Sequence, residues 1–467
     1  MEWFSSDGEM LPKNNPPGPP SVARPDTGFL PHGIKIAVQK AERETIDKKS
    51  AFGRIILDDG LYKSWYLETD PPNICYIESK DGFDWTKPRK SSLSVPGKAS
   101  AEFVYFIDPN GSPEERFKCV YPVWPPESEW AGLWESYQKV HPRYREPRIS
   151  ETRIQCMYGA VSPDGVNWTA LPEPLMINFG DTDTTVYYDS WLQKYVMYTR
   201  KYIQDRRWIG RSEAEDFRNW GPIESIIWPS LNWPPTFDMY TNARCSYPGL
   251  DNYHLMFPWI YERYTQGGSV YLYSSEDGIC WNELPGGPVI PAGGMGDENG
   301  EYISATRDLV PFGLNKVAIR CAEVSVPHKY PRWKDTYNKG GGQFWATWMD
   351  GRVCGLISED IGRFFTTPVV PQGRQLRVNA KIHRGGSLRV GLLLHGQAAP
   401  GAHMDYSFNN RCDIKQRTID DCDPIFGNDI SLPVTWNGQT DIGTNDGEAV
   451  TLQFDLRAAE LFGFEWV

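Results

Sequence analysis

Long hydrophobic runs are missing from this 467-residue sequence, in which no stretch of eighteen or more apolar residues occurs. A membrane-spanning helix needs about 20 such residues, so no segment is expected to cross a membrane. A basic and then apolar leader is also missing from the first residues. This indicates either a cytosolic protein or an exported one whose signal peptide is not part of this sequence.

Positive charge is scarce, because 48 Lys and Arg residues face 60 Asp and Glu residues and leave a formal net charge of −12. This balance argues against nucleic acid or an anionic membrane surface as a partner. Local clusters of Arg and Lys still suit an anionic sugar.

Cysteine and phosphate-binding motifs give no sign of a cofactor. The nine cysteines contain no Cys-x-x-Cys pair, so a cysteine-based metal site is not expected. Most of them lie in apolar runs typical of buried strands, whereas Cys412 and Cys422 flank a polar loop and are the pair placed for a disulfide. No glycine-rich phosphate loop opens a helix. We therefore predict no cofactor and no bound metal, and leave open a structural calcium or sodium ion.

What the sequence does have is a turn that occurs three times, Ser-x-Asp-Gly-x-x-Trp, at residues 79–85, 162–168 and 275–281. A degenerate copy spans 212–220. Asp-Gly favours a tight turn, since glycine adopts a left-handed backbone without steric cost. The Ser and Asp side chains are expected to bond the backbone of the turn, and the Trp to pack beside it. Each copy follows a strand-like run, so the repeat predicts a hairpin between two outer strands.

The strand pattern around these turns repeats five times, and enrichment in Trp, Gly and Pro fits short strands joined by turns. Five four-stranded sheets in series predict an all-β chain with a five-bladed β-propeller. For the fifth sheet, the fourth strand is predicted at residues 353–356. Alternating apolar and polar positions nearer the C-terminus predict a β-sandwich. The predicted division is an extended arm at 1–33, a catalytic propeller at 34–360 and the sandwich at 361–467.

In such a propeller the repeated turns share one face, and the residues before each innermost strand share the other, next to the axis. Four of the five lead-in segments carry a carboxylate. Opposed carboxylates, one protonated and one ionised, are what glycoside hydrolysis requires. The ordinary alternative is a set of solvated loops. The candidate catalytic residues are Asp183 and Glu301 first, in either order of acid and base, with Asp238 and Glu102 behind them.

Aromatic and basic residues in the loops of the same face suit a sugar, because aromatic rings stack on its C–H surfaces and charged groups bond its hydroxyls. The alternative for each Trp is packing between sheets, and for the histidine an ordinary loop position. The candidate substrate-binding residues are Tyr240, Asn242, Arg200, Arg244, His328, Trp124, Trp259 and Trp333.

With these turns, sheets and axial acids, the chain resembles the five-bladed propeller glycosidases, the superfamily of glycoside hydrolase families 32, 43 and 68. Its propeller-and-sandwich layout is most similar to family 32. That family's Trp-x-Asn-Asp-Pro motif is absent, Phe52 stands in its region, and only residues 107–109 echo an Arg-Asp-Pro motif. The resemblance therefore implies a divergent member with its own acid and base, and fructan specificity is not carried over.

The expected function is an exo-acting glycoside hydrolase that uses paired carboxylates at the propeller axis on an oligosaccharide or a polysaccharide-derived glycan. Two alternatives remain. A glycoside phosphorylase would need phosphate for turnover, and a carbohydrate-binding propeller would bind sugar without chemistry.

Overall fold

A computed structural model of the protein describes residues 31–46, 54–69, 72–95, 98–99, 103–140, 145–180, 183–203, 205–228, 233–293, 300–329, 341–395 and 411–467. Strands dominate these ranges, which hold one α-helix, Trp130–Val140, and two short 3₁₀ helices, Pro113–Glu115 and Glu127–Glu129. None of these helices is long and apolar enough to span a membrane. The predicted all-β class is therefore confirmed at the level of secondary structure.

The chain forms two compact units, one of residues 40–348 and one that joins residues 1–39 to 349–467. The division falls before the boundary predicted at 360, which lies inside a strand, Cys354–Phe365. Most of the predicted N-terminal arm, residues 1–30, lies outside the described residues. The assignment of the units as propeller and sandwich stays a prediction.

In the described part of unit 40–348, the strands form five sheets, of which three have four strands, one has six and one has seven. Sheet I contains Ile55–Asp58, Leu61–Thr69, Pro72–Ser79 and Arg89–Lys90. Sheet II contains Val104–Ile107, Phe117–Trp124, Cys156–Ser162 and Thr169–Ala170, with Lys98–Ala99 and Met176–Ile177 added at its margins. Sheet III contains Thr185–Asp189, Lys194–Ile203, Arg206–Ala214 and Glu224–Ile227. Sheet IV contains Arg244–Tyr247, Leu250–Met256, Tyr273–Ser275 and Asn282–Glu283.

Sheet V is assembled from distant parts of the sequence: Tyr302–Phe312, Lys316–Val324, Gly341–Met349 and Glu42–Ile46. Its fourth strand, Glu42–Ile46, pairs antiparallel with Gly341–Met349. This corrects the prediction of residues 353–356, which lie in the other unit. Three further strands, Phe237–Met239, Trp259–Glu262 and Gly268–Val270, join sheet V through one parallel pairing of Gly268 with Tyr302.

The repeated turn has the internal bonds that its sequence predicts. In the first copy, Ser79 Oγ accepts the N–H of Gly82 at 2.9 Å, and Asp81 Oδ1 accepts the N–H groups of Phe83 and Asp84, each at 2.9 Å. The copies at 162–168 and 275–281 repeat this pattern. The turn is thus closed by its own side chains.

The glycine carbonyl of each of these turns also accepts a hydrogen bond from a side chain of a neighbouring sheet. Trp65 of sheet I donates to Gly165 O in the turn of sheet II at 2.6 Å. In the same way, Trp345 of sheet V donates to Gly82 O of sheet I at 3.2 Å, and Tyr198 of sheet III to Gly278 O of sheet IV at 2.6 Å. The repeat therefore links the sheets in the order V, I, II and III, IV.

The first strands of the sheets lie beside one another. The first strand of sheet V neighbours those of sheets I and IV, and the first strand of sheet II neighbours that of sheet III. Sheets II and III are also joined by Tyr195, whose hydroxyl donates to Asp108 Oδ2 at 2.7 Å. The residues that lead into the first strands are therefore brought toward a common region.

We predict that Gly165→Ala destabilises unit 40–348 more than Gly60→Ala. Both glycines have a left-handed backbone, with φ of 77° and 73°, so both variants bear a similar backbone strain. At position 165 an added methyl would lie 2.7 Å from Trp65 Cζ2, whereas at position 60 nothing lies within 4 Å. Overpacking of this kind costs about 1–3 kcal/mol. Denaturant unfolding of both variants measures the difference, and equal losses would contradict the predicted linking role of the turn.

The strands of the second unit form one hydrogen-bonded sheet in its described part, in the order Lys35–Val38, Cys354–Phe365, Val450–Trp466, Leu376–His395 and Arg411–Asp413, with Asn428–Pro433 also paired to Leu376–His395. The long strand Leu376–His395 changes register at two irregularities. Trp436 is fully buried on this sheet and donates to Val390 O at 2.8 Å. A separate two-sheet sandwich stays a prediction.

The disulfide that the sequence made possible between Cys412 and Cys422 is not present at Cys422, whose thiol is free, and the side chain of Cys412 lies outside the described part of the chain. The buried sulfur of Cys422 lies 3.2 Å from the backbone N–H of Val390. Cys422 thus behaves as a small core residue, like the other buried cysteines.

Candidate functional site

Tyr240 and His328, both predicted as substrate-binding residues, meet in unit 40–348. The hydroxyl of Tyr240 lies 2.7 Å from His328 Nε2. The imidazole is perpendicular to four rings, with centroid distances of 5.0 Å to Tyr240, 5.3 Å to Trp259, 5.7 Å to Tyr261 and 5.5 Å to Tyr302. We call these five residues the aromatic cage.

The cage is fixed by stacking and by the backbone. Trp259 stacks on Tyr302 with a centroid distance of 4.6 Å. The backbone N–H of His328 donates to Gln266 O at 3.0 Å, and the backbone N–H of Lys329 donates to the side-chain oxygen of the same Gln266 at 2.8 Å. The loop that carries His328 is thereby held against the hairpin around Gln266.

Two guanidinium groups face the ring of Tyr240. The centre of the Arg200 guanidinium lies 4.2 Å from the ring centroid, and that of Arg207 lies 4.7 Å away. Arg200 is 2% exposed and donates from Nη2 to Tyr240 O at 2.7 Å. The half-buried phenol of Tyr240 therefore has two guanidinium groups against its ring.

Asp238, a predicted catalytic carboxylate, instead binds the arginines beneath Tyr240. It is fully buried and accepts Arg207 Nη1 at 2.6 Å. Arg263 adds a two-pronged contact, with its Nε and Nη2 each 2.9 Å from a different carboxylate oxygen. Paired contacts of this geometry are the strong form of an Arg–carboxylate interaction. The structure therefore places Asp238 as the support of Arg207 and not as a group open to a substrate.

Glu301 is the predicted catalytic residue that lies against the cage, directly before Tyr302. The side chain is buried, and within the described ranges its Oε2 has no hydrogen-bond partner. Burial raises the pKa of this carboxyl above its usual value, because the charged form loses hydration. A raised pKa keeps a proton available for donation.

Close approach of the Glu301 carboxyl requires a glycine on the neighbouring hairpin. A methyl added at Gly267 would lie 2.8 Å from Glu301 Oε1, so any other residue there would displace the carboxyl. The pair Gly267-Gly268 is the sequence feature that could have indicated this close approach, since glycine commonly marks a place where another group comes close to the backbone.

Asp183 and Asn242 form a second group at the lead-ins of sheets III and IV. Asp183 has a left-handed backbone, with φ of 52°. Its Oδ2 accepts the N–H of Asn242 and, at 2.8 Å, that of Ala243, while Oδ1 lies 3.1 Å from Arg307 Nε. Asn242 Oδ1 in turn accepts Thr185 Oγ1 at 2.7 Å. Asp183 is thus tightly held, and Arg307 is a partner that the sequence analysis did not identify.

The remaining predicted site residues lie elsewhere. Arg244 is buried between sheets III and IV, where its guanidinium lies 3.4 Å from the Tyr187 ring centroid and contacts His254. Trp124 packs edge-on against Phe179 at 5.9 Å. Glu102 and Trp333 lie outside the described residues. Neither Arg244 nor Trp124 joins the contacts of the aromatic cage.

A cavity of ≈ 340 Å³ in the same unit contains a second carboxyl with a raised pKa. The cavity lies between the helix Trp130–Val140 and sheet III, and Glu146, Lys201 and the rim residue Glu173 are among its lining residues. Glu146 is 3% exposed. Its burial raises the pKa to about 7, although backbone N–H groups and the charges of Lys201 and Arg148 act in the opposite direction.

We predict that Glu146 makes the free energy of unfolding fall as pH rises from about 4.3 to 7. In this window the folded protein keeps a proton that the unfolded chain has lost, because an ordinary Glu titrates near 4.3. The contribution of Glu146 therefore decreases with pH, by about 3.7 kcal/mol in total, and is constant above the folded pKa. Denaturant unfolding at several pH values should show a decrease that is smaller by this amount in Glu146→Gln than in the native chain. Glu173→Gln is the control, and an unchanged decrease in Glu146→Gln would overturn the assignment.

No group of three or more His, Cys, Asp or Glu side chains in the described ranges is arranged to hold a metal ion. The expectation that no metal or cofactor is bound stays a prediction.

No protein-family model matches the sequence, and no curated protein sequence matches it significantly. The chain is similar to several solved structures. One is a glycoside hydrolase, 10% identical, with 67% of this chain and 92% of that chain covered at a TM-score of 0.43. A second is an N-acetylgalactosamine deacetylase from F. plautii in complex with blood group B trisaccharide, 12% identical, with 69% and 97% covered at 0.42.

A third similar structure is the Bombyx mori family 32 β-fructofuranosidase, 10% identical, with 94% of this chain and 95% of that chain covered at a TM-score of 0.40. The names of these structures include a family 32 enzyme, a family that the sequence resembles. They include a deacetylase as well as glycoside hydrolases.

Proposed function

We propose that this protein is a glycoside hydrolase in which Glu301 is the general acid. The observation that carries the proposal is the environment of this carboxyl, which is buried, has a raised pKa and keeps one oxygen without a partner in the described ranges. A general acid must hold its proton at the working pH and present it to the glycosidic oxygen. Asp183 is proposed as the second catalytic carboxylate, the base or nucleophile. It accepts two backbone N–H groups and lies beside Arg307.

The substrate of the proposal is a carbohydrate, bound where the aromatic cage and the lead-in residues meet. Tyr240 and His328 are half-buried, and they supply a ring surface and a polar contact for the sugar. Trp259, Asn242 and Arg200 are buried and support this part of the site. Phosphorolysis is less favoured, because two arginines of this region, Arg207 and Arg263, already bind the carboxylate of Asp238.

The architecture we propose for unit 40–348 is a five-bladed propeller in which sheets I to V are the blades. Pairing of Glu42–Ile46 with Gly341–Met349 supports this, because it unites the start and the end of the unit in one sheet. The neighbouring first strands and the glycine links between sheets support it as well. In the same proposal the second unit is the sandwich, with Trp436 as part of its core, and cleavage proceeds from the end of a glycan chain.

A product assay on a broad panel of oligosaccharides, with and without phosphate, tests this proposal. Native protein is compared with Glu301→Gln and Asp183→Asn, each checked for folding by circular dichroism. We expect cleavage of at least one glycan without phosphate and its loss in Glu301→Gln. Phosphate-dependent turnover would establish a phosphorylase instead, and binding without any cleavage would leave a carbohydrate-binding propeller.

A further inference from the structure

Tyr240 has three features of an activated nucleophile. A base lies in hydrogen-bond contact with its hydroxyl, since His328 Nε2 is 2.7 Å away. Its ring faces the guanidinium groups of Arg200 at 4.2 Å and Arg207 at 4.7 Å. The orientation of the imidazole is fixed by the aromatic rings around it, and the backbone N–H of His328 donates to Gln266 O.

The carboxylates that would compete for this role are occupied. Asp183 accepts two backbone N–H groups and lies 3.1 Å from Arg307 Nε. Asp238 is fully buried and holds two arginines. A nucleophile needs a lone pair that can approach the anomeric carbon, and a base within about 2.6–3.2 Å. Among the predicted site residues that the structure describes, the pair of Tyr240 and His328 meets the second requirement.

We propose that Tyr240 is the catalytic nucleophile of the glycosidase, with His328 as its base and Glu301 as the acid for the leaving group. This inference rests on the proposed function: it keeps Glu301 as the acid and assigns the second catalytic role to Tyr240 in place of Asp183. Asp238 and Arg207 are positioning residues in it, because they act on the substrate only through Tyr240.

The reaction balances without a cofactor. The phenolic proton of Tyr240 passes to His328 Nε2, and the phenolate oxygen bonds to the anomeric carbon. The glycosidic C–O bond breaks, and the leaving oxygen takes the proton of Glu301. Water then attacks the anomeric carbon and gives its proton to the Glu301 carboxylate. The bond to Tyr240 breaks, and the phenolate recovers its proton from His328.

A labelling experiment tests the activation of Tyr240 without any sugar. The full-length protein is treated with benzenesulfonyl fluoride at neutral pH, and the modified tyrosines are identified by peptide mass spectrometry. Formation of the O–S bond releases fluoride, and the phenolic proton passes to His328. We expect Tyr240 to react about tenfold or more faster than Tyr264, a 90% exposed tyrosine that serves as the internal reference. His328→Phe should abolish this difference.

Equal reactivity of Tyr240 and Tyr264, or a difference that survives in His328→Phe, would overturn the activation of Tyr240. Native gel filtration of both proteins controls for unfolding, and the reactivity of Tyr264 controls for the reagent.

A trapping experiment then tests the covalent step on the glycan identified by the product assay. The corresponding 2-deoxy-2-fluoro glycosyl fluoride should add one glycosyl mass to the peptide that contains Tyr240, and Tyr240→Phe should lower kcat/KM by about 10³-fold or more. A glycosyl mass on Asp183 would overturn the role of Tyr240 and leave the glycosidase proposal intact. Failure to cleave any glycan would reject the glycosidase and the nucleophile together, whatever the labelling shows.

Discussion

Replacement of Glu301 by Gln is expected to lower kcat/KM for an unactivated glycan by about 10²–10⁴-fold, the usual contribution of a general acid. The amide cannot release a proton to the leaving oxygen, although it keeps the size of the side chain. Gly267 continues to admit a side chain of this size, since the closest approach there is made by an oxygen that both residues possess. The expected loss therefore reports proton donation and not a change of packing.

The pH dependence of kcat/KM in the native enzyme should report the ionisation of Glu301. A general acid works in its protonated form, so activity falls as pH rises through the pKa of the folded state. Because burial raises the pKa of Glu301, the alkaline limb of the kcat/KM profile should lie above the ordinary Glu range and should be missing in Glu301→Gln.

Two comparisons make the Glu301 result specific. A dinitrophenyl glycoside has a leaving group that needs no proton, so Glu301→Gln should cleave it nearly as fast as the native enzyme. Glu283 is the matched control, because its pKa is also raised by burial but its carboxylate, in an outer strand of sheet IV, accepts the Tyr273 hydroxyl at 3.0 Å. Glu283→Gln should retain full activity. Equal losses of Glu301→Gln on both substrates would argue that Glu301 binds sugar and donates no proton.

The repeated turns made the sheets predictable, because Ser79, Asp81 and Gly82 close the turn by contacts within a few residues. The fourth strand of sheet V was not predictable in this way. Glu42–Ile46 has the sequence ERETI, which has no alternating apolar pattern. Its place in the sheet depends on pairing with Gly341–Met349, about 300 residues further along the chain, and no local pattern records such a partner.

The candidate site could also be predicted only in part, because the sequence does not record which distant groups the fold brings together. Lead-in residues could be identified from their place before a strand, and the structure does bring Tyr240 to His328 and Asp183 to Asn242. Sequence could not rank the carboxylates, since Asp238 and Glu301 differ only in what the fold places around them. Two arginines surround Asp238, whereas a glycine and an aromatic cage adjoin Glu301.

Asp238→Ala is expected to lower the stability of unit 40–348 by about 3–5 kcal/mol, the cost of removing one partner from a buried ion pair. Asp238 is fully buried and accepts bonds from both Arg207 and Arg263, so the variant leaves two guanidinium groups without their carboxylate. Asp238→Asn should cost less than Asp238→Ala, because its amide oxygen still accepts one hydrogen bond. The midpoint of thermal unfolding, followed by circular dichroism, measures the order.

Glu135→Ala supplies the control for Asp238, because it removes a carboxylate from an exposed pair with Lys139, four residues along the helix, where the N–O distance is 2.6 Å. Pairs of this kind contribute little to stability, since water and salt screen them. If Asp238 were instead a catalytic group of the kind expected from sequence, its removal would abolish activity and leave the unfolding midpoint close to that of Glu135→Ala. A large drop in the midpoint for Asp238→Ala, with Glu301→Gln as stable as the native chain, would separate the carboxylate that holds the arginines from the carboxyl that donates the proton.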